Sequence, residues 1–247
     1  MEQITNNNND KRIAFVLGNG RTRHRFDISM LQSIGTVYGC NRIYTDIMPD
    51  YLISVDKAMV DILLQDHVET NTKVYIDHRL PYNNKHLHKF DCNVTGICDS
   101  GNMACMLAAE HDHDIVYMIG FDYISQDGYH NNVYAGTRPY KDRQDVHTLP
   151  ISVENWYQKA RIVYERYTDT RFVRVNSNDF VPDFVYDNYT NITPTEFDQI
   201  IPNVFDPTII VPQHYRQDNT KLVHRHRNQR VYENNAILTR GMIKWAK

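Results

Sequence analysis

Residues suited to holding a phosphorylated ligand recur where short apolar runs end in this chain of 247 residues. Ile13–Leu17 runs straight into Gly18-Asn19-Gly20 and then into Arg21 and Arg23. A glycine turn lets backbone N–H groups approach a phosphate, and a helix N-terminus adds a favourable partial charge. Asn41 follows a second apolar run, Asp56 a third, and Gly120 and Asp122 close another. Ser100-Gly101 opens a run of small residues and offers a second anion-binding turn. Each feature has an ordinary reading as well: Gly-Asn-Gly as a plain turn, Asp56 and Asp122 as helix caps. Their recurrence at four strand ends favours a ligand site. Gly-Asn-Gly-Arg-Thr-Arg fits neither the GxGxxG nor the GxxxxGK[ST] pattern, so a dinucleotide fingerprint and a P-loop are both unsupported.

The elements that would position these groups alternate in type. Continuous apolar runs predict strands at Ile13–Leu17, Thr36–Cys40, Tyr51–Val55, Lys73–Asp77, Ile115–Asp122 and Arg171–Val175. Helical spacing predicts helices over Arg25–Ile34, Ala58–Gln65, Ser100–Ala109 and Val153–Tyr167, the last with Ser152 as its N-cap. Residues 79–93, rich in His and Asn, read as a loop, and Thr195–Ile201 as a short helix after Pro194. Strands alternating with helices imply an α/β fold: a Rossmann-like parallel sheet with helices on both faces. Ligands of such sheets lie beyond the carboxyl ends of the strands.

Composition sets the outer bounds. Hydrophobic residues make up 41% and charged residues 23%, as in a globular chain. No apolar run approaches the roughly 18 residues of a membrane span. Residues 1–12 are polar, lack the apolar centre of a signal peptide, and read as a disordered tail. Residues 13–176 read as the α/β domain and 177–247 as an irregular C-terminal extension. The four cysteines, Cys40, Cys92, Cys98 and Cys105, form no CxxC pair and read as reduced thiols of a cytoplasmic protein. The net charge is −3, yet residues 221–247 carry seven Lys/Arg against Glu233 alone. That basic end suits packing, a subunit contact in a homo-oligomer, or an anionic acceptor such as DNA.

The motifs LGNGRTR, YGCN, DSGNMACMLAA and IVYMIGFDY occur in an order and at spacings that resemble the bacterial sialyltransferase-like glycosyltransferases of the Campylobacter type. The resemblance covers roughly residues 13–175. It implies a sialyltransferase-like (GT-A-variant) sheet and inverting transfer of a sugar from a nucleotide-sugar donor. It also implies that Asn19 and Asn41 contact the donor's phosphate and ribose, and that Ser100 and Gly101 contact its sugar or phosphate. In the family, tyrosines after the Gly-x-Asp strand bind the leaving phosphate in place of a metal, which points to Tyr129 and Tyr134. The family's general base is a histidine five residues ahead of a helix-starting serine. That places the role on His147, with His130 as the other candidate; a histidine's pKa near neutrality suits it. The chain departs from the family in having Arg-Thr where Pro-Ser follows the glycine turn, so that Arg21 and Arg23 read either as phosphate ligands or as surface. It also departs in having Asp56 where an asparagine is usual. A carboxylate there could bind ribose hydroxyls or a divalent cation, and it opens the donor to UDP-sugars as well as CMP-sialic acid. Asp112-His113-Asp114 spells the DxD pair of metal-dependent glycosyltransferases but falls on the far side of a strand and reads as a solvated turn.

Three functions follow. The first is a metal-independent glycosyltransferase, needing no cofactor beyond its nucleotide-sugar co-substrate and acting on a glycan or on a hydroxymethylated DNA base, as in phage DNA modification. The second is a Mg²⁺-dependent, diphosphokinase-like phosphotransferase on the same fold, with Asp56 and Asp122 as metal ligands. The third is a non-catalytic nucleotide-binding or assembly protein.

Overall fold

The computed structural model describes residues 11–97, 99–123, 132–140, 149–176 and 184–209. Eight strands form one sheet: β1 (Ile13–Leu17), β2 (Thr36–Cys40), β3 (Tyr51–Ser54), β4 (Lys73–Asp77), β5 (Leu87–Phe90), β6 (Ile115–Ile119), β7 (Arg171–Val175) and β8 (Tyr189–Ile192). Their order is β5-β4-β3-β2-β1-β6-β7-β8, and every pairing is parallel. The chain lays down β1 to β5 in one direction, then returns to place β6 on the other side of β1. The seam between β1 and β6 is therefore the topological switch point, where a crevice opens beyond the strand ends.

Both faces of the sheet are covered, which explains the uninterrupted apolar runs of the central strands. Ala14 and Val16 face one core with Tyr38, Val116 and Met118, under helices α3 (Ser100–Glu110) and α4 (Leu149–Arg166). Phe15 and Leu17 face the other with Leu52, Ile76 and Ile119, against α1 (Lys57–Gln65) and α5 (Pro194–Ile200). α2 (Cys92–Thr95) is a single turn. α3 lies between the sheet and α4 and is buried from Ser100 to Ala109 except at Gly101, so its small side chains let three layers approach. Among the described residues no helix is long and apolar enough to cross a membrane.

Several elements differ from their sequence expectations. Arg25–Ile34 is not one helix: Arg21–Arg25 and Ile28–Ser33 form separate 3₁₀ turns, with Asp27 capping the second by accepting from Ser29 N–H. Residues 79–93 are not all loop, because β5 adds a partly exposed edge strand there. The sheet continues past residue 176 through β8, paired to β7. α4 begins at Leu149, so Ser152 lies inside it rather than at its N-cap. Pro150 is tolerated there because the first-turn amides have no intrahelical partner to lose.

Candidate active site

A cleft of ≈ 360 Å³ opens beyond the carboxyl ends of β1, β2, β3 and β6, at the switch point. Gly18, Asn19, Gly20, Asn41, Asp56, Ser100, Gly101 and Asp122 all border it. Asp99, Asn102, Tyr123, Asn132, Tyr140 and Trp156 complete its polar and aromatic lining.

The two glycines of the turn are packed closely against the end of β6. Gly18 N–H donates to Ile119 O and Gly20 N–H to Gly120 O, both at 2.8 Å, so these amides are spent on the protein. A Cβ on Gly18 would stand 2.5 Å from Gly120 O, and one on Gly20 2.5 Å from both Gly120 O and Asp122 Cγ. Gly120 meets them with φ of +78°, a backbone region closed to most side chains. Gly101 is in ordinary helical backbone, where a Cβ would press on the Phe121 ring at 3.1 Å.

Asp122 ties the turn after β1 to the end of β6. Its carboxylate accepts from the Thr22 amide at 3.0 Å, from the Thr22 hydroxyl, and from Asn176 Nδ2 at 2.9 Å. The fully buried Arg174 fixes the same loop: its Nε donates to Phe121 O at 2.6 Å and its guanidinium lies 5.3 Å from the Tyr123 ring centre. Ser100 joins three elements: its Oγ donates to Asn41 Oδ1 at 3.0 Å and accepts from Val55 N–H at 3.3 Å. Asn41 (φ 56°) and Tyr123 (φ 59°) hold left-handed backbone beside the cleft, an unfavourable conformation that tends to persist at functional sites.

Asp99, Asn102, Tyr123, Asn132, Tyr140 and Trp156 were not among the candidates read from the sequence, and two of them matter most to the site. Asp99 is the N-cap of α3, accepting from Asn102 N–H at 2.8 Å and from Asn102 Nδ2 at 3.0 Å. Its enclosure pushes the carboxyl up to about 6, partly offset by those hydrogen bonds. An Asp three residues ahead of an amide donor at a helix start is a legible capping signal. Tyr140 is the other: its hydroxyl accepts from Asn19 Nδ2 at 3.1 Å, with Asn41 alongside. Burial raises its phenol far above the ordinary value, so it stays protonated. Nothing in its local sequence distinguishes it from the other 16 tyrosines of the 17.

Tyr134 does not line the cleft. It is buried behind it, its hydroxyl donating to Asp46 Oδ2 at 2.8 Å and accepting from Arg23 Nη2 at 2.8 Å. Arg23 is accordingly neither a phosphate ligand nor a surface residue: it is 4% exposed and pairs with Asp46 at 2.9 Å. The Tyr134 and Tyr140 rings lie nearly parallel, 6.3 Å apart, so this anchor supports Tyr140 from behind. Tyr129, His130, His147, Cys98 and the basic segment 221–247 lie outside the described residues. Asp112 and Asp114 sit at the opposite pole of the sheet, where Asp114 accepts from Arg12 N–H and Asp112 faces the Arg12 guanidinium. Among the described residues no three His, Cys, Asp or Glu side chains cluster as a metal site would require.

No protein-family model and no curated protein sequence matches the chain. Among solved structures it is similar to the monofunctional α-2,3-sialyltransferase Cst-I from Campylobacter jejuni, at 14% identity and a TM-score of 0.41 over 96% of this chain and 99% of that one. It is also similar to the sialyltransferase CstII from Campylobacter jejuni solved with cytidine-5′-monophosphate, at 13% identity and a TM-score of 0.40 over 78% and 98%. A Serratia marcescens short-chain dehydrogenase/reductase matches at 15% identity, with a TM-score of 0.25. At these scores the weight of any functional reading rests on the chain's own residues.

Proposed function

We propose that the protein is an inverting glycosyltransferase that takes a nucleotide-sugar donor in the switch-point cleft and acts on a hydroxyl of a glycan or of a hydroxymethylated DNA base. The observation that carries this reading is the Tyr140 hydroxyl, which accepts from Asn19 Nδ2 on the wall of a cleft bordered by four strand ends and the start of α3. The cleft's volume falls within the range of small-molecule sites.

In this reading the donor phosphate accepts from the Tyr140 O–H on the cleft wall. The acceptor oxygen attacks the anomeric carbon from the face opposite the phosphate. The carbon–oxygen bond to phosphate breaks, and its electron pair leaves with the nucleotide. His147 takes the acceptor proton, the role its motif resemblance implies, and Tyr140 stabilises the charge growing on the leaving phosphate. Tyr140 thus takes the role that the resemblance implied for Tyr134, which points away from the cleft toward Asp46. A step of this kind needs no metal ion.

The test is nucleotide release from CMP-, UDP- and GDP-sugars in the presence of EDTA. The account expects release from one donor class that survives EDTA and is lost in His147→Ala. Turnover seen only with ATP and Mg²⁺ would transfer the site to the phosphotransferase reading. Tight nucleotide binding without any turnover would leave a binding protein.

A further inference from the structure

Asn132 borders the cleft and is only 4% exposed. Its Oδ1 accepts from Tyr134 N–H at 2.8 Å. Because the partner there is a donor, the amide cannot be turned over, and Nδ2 is the atom that carries two N–H groups. Among the described residues none accepts from that Nδ2. An N–H on a buried side chain without an acceptor costs free energy, and an acceptor brought by a ligand removes that cost.

The residue is held in place from its neighbours. Its backbone carbonyl accepts from Ala135 N–H at 3.2 Å, and Val133 N–H donates to Asn19 O at 2.8 Å. The Tyr134 hydroxyl is fixed between Arg23 and Asp46. Asn19 in turn donates through Nδ2 to the Tyr140 hydroxyl at 3.1 Å, so Asn132 and Tyr140 reach the cleft on either side of one residue. Among the described residues lining the cleft none is Lys, Arg or His, while Asp56, Asp99 and Asp122 are present. An anion entering past these residues is met by neutral donors, and each donor held rigidly in advance counts for more.

We propose that Asn132 Nδ2 donates to the phosphate of the bound nucleotide, as a second neutral donor beside the Tyr140 hydroxyl. This rests on the nucleotide-sugar reading above and deepens it with a residue to which the resemblance gives no role. The same N–H chemistry would serve a carboxylate on the transferred sugar. Nucleoside monophosphates carry the phosphate and no such sugar, so they separate the two sources.

The experiment is calorimetric titration in EDTA of the full chain with CMP and UMP and with cytidine and uridine. Wild type is expected to bind the better monophosphate about tenfold or more tightly than its nucleoside, as for hydrogen bonds to a charged group. Asn132→Ser keeps an acceptor for Tyr134 N–H and removes the amide donor; the phosphate preference should fall about fivefold while nucleoside affinity holds. Asn132→Asp keeps Oδ1 and replaces the donor with a negative charge, and should abolish the preference. Equal phosphate preference in wild type and Asn132→Ser overturns the inference and leaves the nucleotide site standing, even if Asn132→Asp binds more weakly, because a charge acts beyond hydrogen-bond reach. Monophosphate and nucleoside binding alike to wild type also overturns it, and moves the amide to the transferred sugar. Equal loss of nucleoside and monophosphate binding in Asn132→Ser overturns it in favour of a structural role. Absence of any nucleotide binding by folded wild type overturns both this inference and the reading beneath it.

Discussion

Along the seam between β1 and β6 the polar groups of the cleft are used up by the protein. Gly18 and Gly20 give their amides to Ile119 and Gly120, and Asp122 collects Thr22 and Asn176. On the β2–β3 side the Asp56 carboxylate takes no donor from a described residue and the Tyr140 phenol lines the cleft, while in the turn itself Asn19 keeps a buried, unpartnered Oδ1. The difference teaches that a glycine turn at a strand end need not be a phosphate cradle. Here its glycines serve backbone contact at the switch point, and the groups left for a ligand are its asparagine and the neighbouring strand ends.

Substitutions that divide stability from binding along this line can break the comparison. The largest effect is expected at the seam. Gly20→Ala forces a Cβ into Gly120 O and Asp122 Cγ and should cost about 3 kcal/mol or more, read as a lower denaturant midpoint or as insoluble protein. Asp122→Ala strands the Thr22 amide and the Asn176 amide, at about 3 kcal/mol. Unchanged stability in either would remove the seam's structural role. On the other side, Tyr140→Phe should lower turnover about a hundredfold, as removal of a charge-stabilising donor does, while the melting temperature moves little. Equal losses of stability and activity there would erase the distinction.

The smallest expected effect is a pH dependence at the base of α3. Burial raises the Asp99 carboxyl to about 6 in the folded protein, above its unfolded value of 3.8. Its neutral form is therefore the one the fold favours. The associated stability is fully present below pH 3.8 and is lost as pH rises through about 6. Asp99→Asn, which keeps a capping oxygen, should gain stability relative to wild type across that interval. A stability difference that is flat from pH 4 to 7 would contradict this.

The central sheet was legible because its strands are buried on both faces and read as unbroken apolar runs. Ile13–Leu17, Thr36–Cys40, Lys73–Asp77 and Arg171–Val175 have the expected bounds. The edge strands were not legible. Leu87-His-Lys-Phe90 and Tyr189-Thr-Asn-Ile192 are half polar because one face or edge meets solvent, and in that setting pairing to a formed neighbour decides the structure. In the cleft, the strand-end residues were findable from the rule that ligands sit beyond parallel strands. Tyr140 was not, because its place is set by the Arg23–Asp46–Tyr134 anchor, which joins residues far apart in sequence.

The central claim is that this cleft binds a nucleotide, and Trp156 on its wall reports on it directly. The chain has two tryptophans, Trp156 and Trp245, so Trp245→Phe leaves the cleft residue as the only indole. Titrating that variant with CMP and UMP in EDTA should change its tryptophan emission saturably, and Asn19→Ala added to it should weaken the response. Emission that stays constant to millimolar nucleotide, in a variant shown to be folded, would contradict the account.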